Sequence, residues 1–205
     1  MADYFALLDE PRRPWLDPEV LKAKFHALAA RVHPDRVNSS ESEKQAANSR
    51  YAELNAAYQC LREPKERLRH LLELERGSPV EGLQSIPPDT MNLSMEVSQL
   101  CREADCFLAE KAKVTSPLLK VQLFEKGLAI TERLISLLVR LAAKLEALTM
   151  QLQILNMAWE TAPLVGSPTR LHVLPCSRLE QIYRDFSYLT RWAQQLKERL
   201  VTLSL

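Results

Sequence analysis

The chain has 205 residues, 46% of them apolar, enough for a hydrophobic core in one large or two small domains. Its 27 lysines and arginines nearly balance 26 aspartates and glutamates, 13 of each before Gly77, so no basic field asks for nucleic acid. With only four glycines and abundant Leu, Ala, Glu, Lys and Arg, the composition favours an all-α fold, because unbranched side chains lose little rotamer freedom on a helix.

The opening "MADYFALLDE" lacks the basic start and apolar run of a signal peptide, and its acidic residues argue against a transit peptide. The longest uncharged stretch, Ala147 to Trp159, is too short to span a bilayer, so a soluble, cytoplasmic protein with no membrane partner is expected. Cys60, Cys101, Cys106 and Cys176 have no two-residue ligand spacing and read as free thiols; no metal and no cofactor is expected.

Tyr4, Phe5, Leu7 and Leu8 form a short apolar turn. The first long helix is predicted from "DPE", where Asp17 caps, Pro18 takes the first helical position and Glu19 meets the positive end of the dipole. Leu21, Phe25, Leu28 and Val32 then mark one side, and Pro34 ends the helix at His33. A capping box, Ser40 to Glu43, starts the next, with Ala47, Tyr51, Leu54, Tyr58 and Leu61 as its stripe. Those two helices form an antiparallel hairpin with His33-Pro34-Asp35 at its tip. A short helix follows from about Pro64, burying Leu68, Leu71 and Leu72 and closing at Gly77.

"GSPVEGLQSIPPD" holds two of the four glycines and three of the prolines and reads as a linker. The predicted organisation is 1–76, a linker at 77–88, and a helical bundle over 89–205. In the bundle, Leu93, Val97, Leu100, Ala104 and Phe107 mark one helix. The stretch Leu118 to Glu160 is apolar on more than one face, as expected of a helix buried on two sides or awaiting a partner. After a loop, Arg178 to about Leu203 carries a heptad stripe, completing an antiparallel three-helix bundle.

His33-Pro34-Asp35 has three readings. It contains a helix breaker and a turn former, so it can simply end a helix. An acid–base role needs a nucleophile or an orienting group in an enclosed pocket, which a hairpin tip lacks; no nucleophile elbow, phosphate-binding loop or metal-spaced cluster occurs, and the chain reads as no enzyme. As a recognition point, Pro34 stiffens the backbone on both sides, and Asp35 is free to accept a bidentate bond from a partner's arginine. Lys24 and Arg31 align on one side of the preceding helix and Arg36 continues past the turn, a basic stripe suited to an acidic surface.

The apolar start "YFALL", a helix, His33-Pro34-Asp35 with a basic residue after it, and a long antiparallel helix resemble the J domain, whose members stimulate ATP hydrolysis by DnaK-type chaperones. "FHALAARVHPDR", "NAAYQCLREPKERLRHLLEL" and the chain length are similar to those of HscB-type co-chaperones of iron–sulfur cluster assembly, strongly over 4–74. The resemblance implies a J domain followed by a three-helix bundle that holds the cluster scaffold protein. It assigns His33, Pro34 and Asp35, supported by Lys24, Arg31 and Arg36, to the chaperone, and Leu93, Met95, Glu96 and Leu100 in "LSMEVSQL" to the client. Ser94 and Ser98 depart from the family's apolar residues there, and Met95 and Leu100 also fit a bundle core. A structural or assembly protein that self-associates or binds another client through its apolar middle helix, without stimulating ATP hydrolysis, is the alternative.

Overall fold

A computed structural model describes residues 2–32, 41–80 and 90–204, and these form helices with no strand: α1 (Tyr4–Leu7), α2 (Pro18–Arg31), α3 (Glu41–Arg62), α4 (Pro64–Arg76), α5 (Met91–Lys111), α6 (Pro117–Glu160), α7 (Arg170–Val173) and α8 (Cys176–Ser204). The all-α class follows from the composition as expected. Two compact units divide the chain, one of Met1–Glu81 with Thr149–Tyr183 and one of Gly82–Leu148 with Arg184–Leu205.

In the first unit α1, α2 and α4 each pack on α3. Asp17 caps α2 as its sequence predicts, its Oδ1 accepting from the amides of Glu19 at 2.9 Å and Val20 at 3.1 Å. The buried face of α2 is Leu21, Phe25 and Ala29, with Leu28 and Val32 only half-buried. Phe25 stacks on Tyr58 of α3, ring centroids 4.4 Å apart. Of the stripe expected on α3, Leu54 and Leu61 are buried, Ala47 and Tyr58 half-buried and Tyr51 exposed, and Ala57, outside that stripe, is buried as well. One cause is length: α2 has 14 residues and α3 has 22, so roughly 12 Å of α3 runs without α2 alongside. In α4, Leu68, Leu71 and Leu72 are fully buried, and Gly77 closes the helix in the left-handed conformation at φ 69°.

The first unit also includes residues 149–183, which sequence alone grouped with the bundle. Long-range polar bonds account for this. Asn156 on α6 accepts from the Trp15 amide and donates to the Trp15 carbonyl, both at 2.9 Å. Arg170 grips Glu75 with two parallel bonds of 2.8 Å and donates a third to the Pro163 carbonyl at 2.7 Å. Arg76 on α4 meets Glu180 on α8 at 2.6 Å.

The second unit is built from α5, α6 as far as Leu148 and α8 from Arg184. All five stripe residues of α5 are buried, together with Ile130, Leu134, Leu137 and Leu141 of α6 and Phe186, Leu189 and Leu196 of α8. Helices α5 and α6 run antiparallel: Lys126 pairs with Glu110, Arg133 with Glu103 and Arg140 with Glu96, each step moving seven residues along both helices. Such a ladder fixes register rather than supplying much stability, because its members are about half exposed. Arg199 of α8 reaches Asp105 of α5 at 2.7 Å.

Candidate functional site

The residues that precede and follow the His33-Pro34-Asp35 segment belong to the α2/α3 pair. α2 closes at Arg31, where the Val32 amide turns back to the Ala29 carbonyl at 3.3 Å, and α3 begins at Glu41. His33, Pro34, Asp35 and Arg36, with Ser40, which was expected to cap α3, lie outside the described residues. Arg31 is exposed on the last turn of α2.

Lys24 is placed otherwise than the basic stripe suggested. Its Nζ donates to the Asp9 carbonyl at 2.8 Å and pairs with Glu10 Oε1 at the same distance. The cause lies at the end of α1, where Asp9 takes a left-handed φ of 53° and Glu10 turns its side chain inward until only 2% is exposed. A carboxylate so buried needs a cation, and Lys24 supplies it, with Arg13 at 3.6 Å on the other oxygen. Helical spacing aligns Lys24 with Arg31, but it carries no information about Glu10.

Two further polar residues that sequence reading passed over position the hairpin. Arg67 is buried on α4, its Nε donating to the Pro14 carbonyl at 2.9 Å and its Nη1 to the Leu61 carbonyl at 2.6 Å. Burial lowers its pKa to about 10. His70, three residues on, accepts the Tyr4 amide proton on Nε2 at 3.2 Å and stacks on Tyr4 with centroids 4.6 Å apart. Desolvation lowers its pKa below the ordinary 6.5. The sequence does carry a signal for Arg67, which stands four residues before Leu71 on the apolar face. Cys60, near the same junction, has its thiol pushed up to about 11, chiefly by burial, so it stays protonated at neutral pH.

The stretch expected to meet a client divides. Leu93 and Leu100 stand seven residues apart on the core side of α5 and are 6% and 3% exposed, so they pack within the bundle. Met95 is 64% exposed. Glu96 is half-exposed and paired with Arg140. Met95 and Glu96 are therefore the members of that set available at the surface.

Among the described residues no group of three or more His, Cys, Asp or Glu side chains is placed to hold a metal, and no helix is long and apolar enough to cross a membrane.

Comparison with known proteins agrees with this architecture. The family model for the DnaJ domain matches residues 3–70. A co-chaperone protein HscB homolog of Chromobacterium violaceum is 38% identical over 96 residues, which is 46% of this chain and 55% of that protein. The corresponding homolog of Bordetella pertussis is 34% identical over 127 residues, 58% of this chain and 74% of that protein. Among solved structures, chaperone HscB from Vibrio cholerae superposes with a TM-score of 0.57 at 22% identity, covering 97% of this chain and 99% of the other. Human co-chaperone protein HscB gives 0.60 at 19% identity, covering 98% and 81%. At those identities the two structures establish a shared fold.

Proposed function

The chain belongs to the HscB family of J-domain co-chaperones, and from that premise we propose that it stimulates ATP hydrolysis by a DnaK-type chaperone and delivers a client to it, preferably an iron–sulfur cluster scaffold protein. In this reading residues 1–76 act as the J domain, 77–88 as linker and 89–205 as the client-binding bundle. The protein is no enzyme and works in the cytoplasm.

The observation that carries the proposal is the hairpin itself: α2 and α3 are locked side by side through Phe25 and Tyr58, and the chain between Arg31 and Glu41 contains His33-Pro34-Asp35. Pro34 restricts the residues around it, so little entropy remains to be lost when Asp35 accepts a guanidinium from the chaperone. Arg31 and Arg36 steer an acidic surface toward it. Lys24, engaged with Glu10, supports the site from within instead of touching the partner. Contacts of this kind shift the chaperone toward its hydrolysing state only if they are stronger there, and Asp35 is where that difference is assigned. On the bundle, Met95 and Glu96 face the client.

ATP turnover by a DnaK-type chaperone tests this. The wild-type chain is expected to accelerate single-turnover hydrolysis, and Asp35→Asn to lose at least ten-fold of that acceleration while keeping its helical content. Equal stimulation by both would remove Asp35 from the mechanism. Absence of stimulation by either would favour the assembly reading.

A further inference from the structure

On α6 the apolar residues outside the core are not scattered. Counting a heptad from Val121, the a positions are Val121, Leu128, Ile135 and Ala142, and the d positions are Phe124, Thr131 and Leu138. Val121, Phe124, Leu128 and Ile135 are 64%, 72%, 51% and 47% exposed. The core of the second unit is served by other rows of the same helix: Ile130 and Leu137 at c, Leu134, Leu141 and Leu148 at g. The f row, Lys126, Arg133 and Arg140, is consumed by the ladder to α5. α6 therefore carries two apolar seams: the core seam is buried under α5 and α8, whereas the second leaves Val121, Phe124, Leu128 and Ile135 exposed and Thr131 and Leu138 half-buried. The second seam is about three heptads long, roughly 33 Å, and keeps the 3-4 spacing that accepts the knobs of another helix.

At its N-terminal end this seam opens into a cleft of about 530 Å³ whose lining includes Phe107, Phe124, Gly127, Leu128 and Leu203. Gly127 shapes its floor: a Cβ there would stand 2.9 Å from Phe107 Cζ, so a side chain would force the ring aside. Phe124 and Leu128 belong to both cleft and seam, which gives an incoming apolar side chain a socket at one end.

Charge selects the occupant. The row flanking the seam at e is Glu125, Glu132, Val139 and Glu146, and its three glutamates are exposed with no ion pair among the described residues. In an antiparallel pairing with a second copy, e would face e and glutamate would meet glutamate. In a parallel pairing e would face g, but the g row is apolar and lies in the core. Neither arrangement offers a cation. We propose that this seam, Val121 to Ala142 on α6, is a docking site for an amphipathic helix of another protein that carries apolar a and d residues beside a row of lysines or arginines. The site goes beyond the co-chaperone reading and does not rest on it, because it involves neither the J-domain turn nor Met95.

A synthetic three-heptad peptide, Leu at a and d and Lys at e and g, provides the probe, with a twin carrying Glu in place of Lys. Fluorescence anisotropy with the full chain is expected to show the Lys peptide binding at least ten-fold more tightly than the Glu twin. Leu128→Glu, at an exposed position, should weaken the Lys peptide at least ten-fold with the far-ultraviolet circular dichroism unchanged. The triple variant Glu125→Lys, Glu132→Lys, Glu146→Lys should reverse the order of the two peptides. Equal binding of both peptides, or indifference to Leu128→Glu, would overturn the proposal. So would sedimentation of the chain as a micromolar dimer that Leu128→Glu converts to monomer, which would make a second copy the occupant.

Discussion

The two units are held together by different chemistry. In the first, charged and strongly polar side chains are buried: Glu10, Arg67, His70, Asn156 and Arg170, each bonded to a residue far away in sequence or to a turn carbonyl. Among the described residues of the second, the buried polar ones are the hydroxyls Thr90 and Ser187, and the ion pairs of the α5/α6 ladder stand about half in water. The contrast follows from element length. Short helices such as α1 and α4 have few apolar turns to fix their register, so directional bonds to carbonyls do it. Helices as long as α6, with 44 residues, can be registered by heptad packing, leaving charge to the surface.

That difference predicts unequal effects for equivalent deletions. The largest is expected for Arg170→Ala, which leaves Glu75, with 4% of its side chain exposed, buried without its bidentate partner; a loss of about 3 kcal/mol should appear in urea unfolding followed by circular dichroism. Next comes Lys24→Met, which keeps the apolar stem but leaves Glu10 with Arg13 alone; about 2 kcal/mol is expected by the same measurement. A loss under 0.5 kcal/mol would return Lys24 to the partner-facing stripe.

His70 sharpens the comparison through pH. Its folded pKa lies below the ordinary 6.5, so the unfolded chain takes up its proton first. The stability His70 contributes is therefore complete above that value and declines as pH falls below it. The urea midpoint of the wild type should drop between pH 7.5 and pH 5.5 by more than that of His70→Gln, and a parallel decline in both would assign the effect elsewhere. The smallest effect belongs to the second unit: Arg133→Ala removes one rung of the exposed ladder and should cost about 0.3 kcal/mol, with the remaining shift abolished by 0.5 M salt.

Much of this architecture is legible without coordinates. Leu93, Val97, Leu100, Ala104 and Phe107 were all expected on one face of α5 and all are buried; Asp17 caps α2 and Gly77 terminates α4 as their residue types demand. The site was read less completely. A stripe was expected through Leu28 and Val32, but the neighbouring row through Ala29 is the deeper one, because a small residue permits the closer approach of α2 to its neighbours. Met95 and Leu100 carried both a client and a core reading: Leu100 is buried on the α5 stripe, whereas Met95, 64% exposed, is no part of the core.

What the sequence determined by itself is local: where helices begin and end, which rows are apolar, and that the chain is all-α, since propensity, caps and period act within a few residues. What tertiary structure alone decided is which charges turn inward. Arg170 and Glu75 are 95 residues apart and Trp15 and Asn156 are 141 apart. Desolvation is tolerable for such groups only when the partner stands in place, and no local pattern encodes a partner that distant.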